Sequence, residues 1–254
     1  MKYFVNEDWV VREIWGKSDT IIFIFAGASA EFALNKAVDW LYYTGKLPKD
    51  PLERLFSTVK YARQIVFSEK MTAISAIENI NKIHATVELD RGKKIPDWAC
   101  RDVLFMLIDY SIRSFEILER KLSLSEKEEV LKVFISMGEI MNISALPLTY
   151  AQYEIMRQIH LKKHLKYSEF SQDLYLQYRK HLGYFRFQLL LKTQIMITPK
   201  KVRKLLSLQK FSLLLPLLQA YKFFRKINLD FLLKLMILPA KYKNEINSLD
   251  HNPV

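Results

Sequence analysis

Three groups of side chains in this sequence have the types and spacings that chemistry requires. They are His84 in NKIHATVE, the pair Arg54 and Thr58 in DPLERLFST, and the pair His160 and His164 in QIHLKKHLK. Residues four apart project from one face of an α-helix. An imidazole can bind a metal ion, an arginine beside a hydroxyl can bind a carboxylate, and two histidines at this spacing can share one ion.

His84 falls on a helical stripe. At 100° per residue, one face contains Ala73, Ala76, Ile77, Ile80, His84 and Val87. This pattern predicts that His84 lies near the centre of a buried face, where two alanines leave room for a flat group. The alternative is a neutral core histidine that donates a hydrogen bond to a backbone carbonyl.

The other two groups also have simpler interpretations. Arg54 could be a surface residue while Thr58 bonds the carbonyl four residues before it. No glutamate follows His160 to act as a base, and lysines crowd the QIHLKKHLK segment. The favoured interpretation is therefore that His160 and His164 lie on a solvent-exposed helix face.

Helix signals cover almost the whole chain. Six glycines and eight prolines among 254 residues leave few breaks, and no segment alternates as a strand does. In the first half of the chain, helices are predicted from Ser18 to about Trp40, after the Asp50 N-cap (with Pro51 and Glu53 in the first turn), from Ser68 to about Glu88, and from about Asp97 to Lys121. In the second half, helices are predicted from a Ser125–Glu128 capping box to about Asn142, from Thr149 to about Lys166, and from Ser171 to Ile197. A further helix is predicted to start at Thr198-Pro199, with shorter helices after it. The fold class is therefore all-α.

Positive charge is concentrated in the C-terminal part. The net charge is +12, and residues 151–254 contain 19 Lys and Arg against 6 Asp and Glu. We expect one globular domain with its core in residues 1–200, and basic amphipathic helices in residues 201–254. These helices either pack on the core or rest on an anionic membrane through residues 200–240. Nucleic acid is a weaker candidate because no reading motif accompanies the charge.

Several protein classes lack their usual signals. The sequence has no GxSxG, P-loop or GxGxxG motif, and Cys100 is its single cysteine. The longest apolar run, residues 21–30, is shorter than the roughly 20 residues that span a bilayer. No secretory signal is recognisable at the N-terminus. We therefore expect a soluble, cytoplasmic protein, with peripheral membrane contact as the alternative location.

The order of motifs resembles the rubber-oxygenase, or latex-clearing-protein, family, which includes the MpaB-type oxygenase of mycophenolic acid biosynthesis. The similar segments, between about residues 9 and 200, are WGKSDTIIFIFAGASAEFAL, RLFST, IVFSEK, KIHATVE and SLSEKEEVLKVFISMGEIMNISALPLTYAQY. The resemblance implies a globin-like core that holds haem b. It also implies that His84 is an axial ligand of the haem iron and that Arg54 and Thr58 lie near the haem.

Departures from the family pattern refine this expectation. Rubber-cleaving members place a lysine just before the threonine, where it can close the distal side of the iron, and here that position is Ser57. An iron open to O2 is therefore expected, and rubber itself is not the expected substrate. Glu31 and Asp39 are both candidates for the family's acidic base, and neither is preferred. His160 is a second choice as haem ligand.

The resulting prediction is a haem b-dependent oxidoreductase, an oxygenase. It would activate O2 at a His-ligated iron and oxidise a hydrophobic small molecule or lipid. Two alternatives stay open at this point: a non-catalytic protein that binds or senses haem, and a helical membrane-surface adaptor without a cofactor.

Overall fold

Helices account for nearly all of the regular structure in the computed structural model, which describes residues 2–45 and 49–208. We number them in chain order. They are α1 (Val10–Trp15), α2 (Ser18–Phe32), α3 (Val38–Tyr43), α4 (Pro51–Phe67), α5 (Lys70–Arg91), α6 (Asp97–Leu118), α7 (Leu124–Ile140), α8 (Tyr150–Lys163), α9 (Glu169–Ile197) and α10 (Lys200–Leu205). Within the described ranges there is no strand, only two isolated bridges. The all-α prediction is confirmed.

Local sequence signals place several helix ends correctly. The Asp50 side chain accepts a hydrogen bond from the Glu53 N–H (3.0 Å), with Pro51 in the first turn of α4. Thr149 caps α8 by accepting from the Gln152 N–H (3.3 Å). Gly92 ends α5 in the left-handed conformation (φ 66°), which glycine adopts without a steric penalty. Each of these ends depends on residues within one helical turn.

The helix expected from Ser18 to Trp40 is two helices, because long-range contacts interrupt it. After Phe32 the chain pairs with the end of α8: the Lys36 N–H donates to the His164 carbonyl (2.9 Å), and the Lys166 N–H donates to the Leu34 carbonyl (2.8 Å). The Asn35 side chain accepts from the Ala37 N–H (2.8 Å), which closes the turn before α3.

The capping box of α7 lies two residues earlier than predicted. Ser123 and Glu126 form it, with the Ser123 N–H donating to the Glu126 carboxylate (2.8 Å). Glu128 instead accepts from the Tyr150 N–H (2.8 Å) and so connects α7 to the start of α8. Ser123 and Ser125 are each followed three residues later by a glutamate, as a capping box requires, and Ser123 is the residue that caps α7.

The helix predicted from Ser171 to Ile197 is longer and interrupted. It begins after the Ser168 cap, and Gly183 (φ 71°, ψ 171°) separates two helical stretches within α9. A positive φ of this kind is accessible to glycine and costly for other residues. The predicted helices of residues 209–254 lie outside the described part of the chain.

The main core lies where α2 crosses α6. A Cβ on Gly27 would come within 2.1 Å of the Tyr110 ring, so the absence of a side chain lets the two helices approach closely. The largest buried side chains of the same core are Trp15, Phe105, Tyr110, Phe115, Phe134 and Tyr153. Among the described helices, none combines the length and apolar character needed to cross a membrane.

Candidate functional site

His84 lies on α5, in the half of the predicted stripe that is only partly buried. Ala73, Ala76 and Ile77 are buried, whereas Ile80, His84 and Val87 are half-buried. The predicted buried face is therefore confirmed for the first half of the helix and wrong for the second. The space beside the alanines is filled by the protein core, and the accessible part of the face is the part that carries His84.

Helix α4 packs against α5 and contains the other three predicted residues. Ser57 and Thr58 are both half-buried. Arg54 lies in the same helix, four residues before Thr58, but its side chain lies outside the described part of the structure. Two neighbouring helices therefore contain all the residues that the resemblance assigns to haem.

A second group of polar side chains, which we call the buried ionic cluster, lies between α2, α6 and α8. It consists of Glu31, Asp102, Asp109, Tyr110, Arg157, His160 and His164. At its centre Glu31 is fully buried (0% exposed). Its carboxylate accepts from both terminal nitrogens of the Arg157 guanidinium, Nη1 and Nη2 (the latter at 2.6 Å), and from the Tyr110 hydroxyl at 2.9 Å. Arg157 also donates to Asp109 (2.8 Å).

Two histidines converge on Asp102 at one end of this cluster. His160 Nδ1 lies 2.8 Å from Asp102 Oδ1, and His164 Nδ1 lies 2.7 Å from Asp102 Oδ2. The other ring nitrogen of His160 lies 2.7 Å from Glu31. Asn35 donates to Asp102 at 3.3 Å, and the Trp98 ring packs on His164 with centroids 4.5 Å apart.

The expectation that His160 and His164 are on a solvent-exposed face is wrong. The His160 side chain is 1% exposed and that of His164 is 22% exposed, while Lys162 and Lys163 lie on the exposed side of α8. The lysines were correctly placed in solvent, but the histidines lie on the opposite face, which packs inward. The buried stripe Tyr153, Arg157, His160, Leu161 was the sequence signal that could have revealed this.

In the buried ionic cluster, burial and charge pairing shift the pKa values of Glu31 and His160 in opposite directions, and the effect of pairing is the larger. Burial by itself would raise the pKa of Glu31, but Arg157 and His160 hold that pKa well below its usual range. Burial would lower the pKa of His160, yet Asp102 and Glu31 raise it. Burial next to the Glu31 carboxylate raises the pKa of Tyr110, so the hydroxyl stays a donor.

Comparison with known protein families identifies the domain that contains both the residues around His84 and the buried ionic cluster. The family model described as ER-bound oxygenase mpaB/B'/Rubber oxygenase, catalytic domain, matches residues 18–226. The chain belongs to this family. The predicted resemblance is thereby confirmed, and the match gives the chain an oxygenase-type catalytic domain. No curated protein and no solved structure matches the chain.

Within this mpaB/rubber-oxygenase domain, the residues around His84 are compatible in type with a haem. His84 offers an imidazole on a half-buried face, with apolar Ile80 and Val87 about one turn away on either side, and imidazole is a common axial ligand of haem iron. His160 does not fit that role. Both of its ring nitrogens face carboxylates within 2.8 Å, and its side chain is buried.

The two candidates for an acidic base lie in different surroundings. Glu31 belongs to the buried ionic cluster, where its carboxylate is engaged by Arg157 and His160. Asp39 forms an ion pair with Arg91 (2.7 Å), whose guanidinium stacks over the Trp40 ring at 4.1 Å. Asp39 is therefore the more accessible of the two.

Proposed function

We propose that this member of the mpaB/rubber-oxygenase family is a haem b-dependent oxygenase that oxidises a hydrophobic small molecule or lipid. The observation that carries the proposal is the family match over residues 18–226, a range that includes His84 on the half-buried part of α5. When bound, haem b supplies the O2 and redox chemistry, and the protein supplies binding, orientation and exclusion of water.

In this proposal His84 would hold the haem iron through one imidazole nitrogen. Helix α5 is regular from Lys70 to Arg91 and anchors its buried first half in the core, so it presents the ring from a rigid support. Ile80 and Val87 lie about one turn before and after His84 and provide apolar surface beside it. Such surface keeps water from the iron and favours an apolar substrate.

Residues of α4 would hold the edge of the haem. Arg54 and Thr58, four apart on the helix, would hold a propionate through a charge-assisted and a neutral hydrogen bond. Ser57 precedes Thr58, and its short hydroxyl is a weak iron ligand. We therefore propose that Ser57 would leave a bound haem iron accessible to O2.

A hydrophobic substrate makes access from a lipid surface useful, and we propose peripheral contact with an anionic membrane through residues 200–240. The start of this segment has the required character. In α10, Val202 is buried against the core while Lys200, Lys201 and Lys204 are exposed. Cationic side chains on one face of an anchored helix attract anionic lipid headgroups.

The absorption spectrum of protein expressed with adequate haem supply tests the proposal. We expect a Soret band that is lost in His84→Ala, with helical content by circular dichroism unchanged. His181→Ala is the matched control, because His181 is also a partly exposed helical histidine (22%) and pairs only distantly with Asp50 (3.9 Å). The control should retain the Soret band.

The outcomes separate the competing functions. A Soret band of equal intensity in His84→Ala would exclude His84 as the ligand. Haem binding without O2 consumption in the presence of unsaturated lipids would indicate a haem-binding protein and contradict the oxygenase function. Absence of a Soret band in the wild type would contradict haem dependence.

A further inference from the structure

The end of the buried ionic cluster at Asp102 has features of a metal centre that are independent of His84. Asp102 on α6 and two histidines near the end of α8 place one ligand atom each within 4.8 Å of one another. We propose that Asp102, His160 and His164 bind one divalent transition-metal ion such as Zn²⁺.

His160 provides the observation that distinguishes this arrangement from an ordinary ion pair. Its Nδ1 lies 2.8 Å from Asp102 Oδ1 but off the direction of a hydrogen bond. Among the described residues this buried nitrogen therefore has no hydrogen-bond partner. Because Asp102 and Glu31 favour the protonated ring, a metal ion bound here would displace the Nδ1 proton and take its place between His160 and Asp102.

The surrounding hydrogen bonds orient the ligands as they do in metal sites. His160 Nε2 lies 2.7 Å from the Glu31 carboxylate, so in the metal-bound form the Nε2–H would donate to Glu31 and Nδ1, on the Asp102 side, would bind the ion. Asn35 donates to Asp102 (3.3 Å), and Trp98 packs on the His164 ring. Histidine ligands in metal sites commonly donate their second nitrogen to a carboxylate in this way.

The backbone fixes the more exposed ligand. His164 ends α8, and its carbonyl accepts from the Lys36 N–H (2.9 Å) in the pairing between the two segments. The donor set of two imidazole nitrogens and one carboxylate oxygen suits Zn²⁺ or Fe²⁺ better than Mg²⁺ or Ca²⁺. Three protein ligands leave a fourth position for water, and His164, 22% exposed, marks the route to solvent.

Metal binding requires a small adjustment. Bonds of about 2.1 Å to a tetrahedral ion place neighbouring ligand atoms about 3.4 Å apart, against 2.7–2.8 Å for the two histidine–carboxylate pairs. His164 can supply the movement because it lies at the end of a helix and is partly exposed. The ion would then join α6 to α8, and its binding would raise the thermal stability of the protein.

The test is calorimetric titration of Zn²⁺ into the full chain after removal of metal by a chelator, with metal content per chain by mass spectrometry. We expect one Zn²⁺ per chain and a higher melting temperature with Zn²⁺. His164→Ala should weaken binding by at least about 100-fold, because even residues outside the first coordination sphere change metal affinity by about 10–100-fold. His181→Ala should bind as the wild type does.

Separate readouts keep this proposal distinct from the haem proposal. His164→Ala should retain the haem content of the wild type, and His84→Ala should retain the Zn²⁺ affinity. A second variant, His160→Gln, should also lose Zn²⁺ while circular dichroism reports whether it folds. Absence of Zn²⁺ binding to the wild type, or equal affinity in the wild type and in a folded His164→Ala, would overturn the metal site.

Discussion

The face of α5 around His84 and the buried ionic cluster are two opposite ways of placing a histidine in a helical protein. His84 is half-buried on an otherwise apolar face, whereas His160 is enclosed by Glu31 and Asp102. The enclosed histidine belongs to a network that stabilises the contact between α2, α6 and α8. His84 is less buried than His160 and so remains more accessible, which is compatible with the ligand role that we propose for it.

Removing Arg157 should produce the largest change in stability. Arg157→Ala leaves the Glu31 carboxylate buried without its main counter-charge, and breaking a buried pair in this way costs about 3–5 kcal/mol. Urea denaturation of Arg157→Ala and the wild type measures the effect. Arg113→Ala is the control, because Arg113 also pairs with Asp109 but is 42% exposed, and its loss should cost about 1 kcal/mol or less.

His84→Ala sharpens the same comparison. In protein without haem it should change the free energy of unfolding by less than about 1 kcal/mol, since a half-exposed side chain is removed. Equal destabilisation by Arg157→Ala and His84→Ala would contradict the distinction between a structural cluster and an open ligand face.

Gly27→Ala tests the packing that supports the cluster. The added methyl group would meet the Tyr110 ring at 2.1 Å, and the Tyr110 hydroxyl donates to Glu31 one turn further along α2. We expect a loss of about 1–3 kcal/mol in the free energy of unfolding, because overpacking displaces an aromatic ring.

Gly138→Ala is the matched control for this prediction. There the new Cβ would meet the methyl ends of two leucines, Leu104 at 2.7 Å and Leu146 at 3.0 Å, which adjust more easily than an aromatic ring. Gly138→Ala should therefore cost less than Gly27→Ala in the same denaturation experiment. The reverse order would show that the α2–α6 contact adapts more easily than its geometry suggests.

The sequence predicted features that depend on neighbouring residues and missed those that depend on distant ones. The caps at Asp50 and Thr149 and the Gly92 stop lie within a turn of the helices they limit, so their residue types indicated them. The break after Phe32 depends on pairing with residues more than 100 positions away. Helical periodicity alone contains no information about that pairing.

The same reason explains the outcome for the histidines. His160 and His164 were recognised as a pair by their spacing, but Glu31 lies 129 residues before His160 and Asp102 lies 62 residues before His164. Only the folded chain brings these carboxylates to the histidines. The face of α5 was predicted correctly in orientation, and its half-open second part depends on which helices cover it.

The reactivity of Cys100 tests the α5 side of the comparison between the His84 face and the buried ionic cluster. It is the prediction with the smallest expected effect. Cys100 is a half-buried residue of α6, and burial, with the negative charges of Asp97 and Glu88, raises the pKa of its thiol to about 11. Glu88 lies on α5 just after His84, so the thiol reports on the end of α5 that we propose to be open.

The thiolate is the reactive form, and a raised pKa leaves little of it at pH 8. We therefore expect alkylation of Cys100 by iodoacetamide at pH 8 to be much slower than that of a free cysteine, whose pKa is about 8.5, and to accelerate as the pH approaches 11. Glu88→Gln should raise the rate at pH 8 slightly, because it removes one of the two negative charges. Alkylation at the rate of free cysteine would show that the junction of α5 and α6 opens readily, and α5 would then not be the rigid support that the proposed His84 ligand requires.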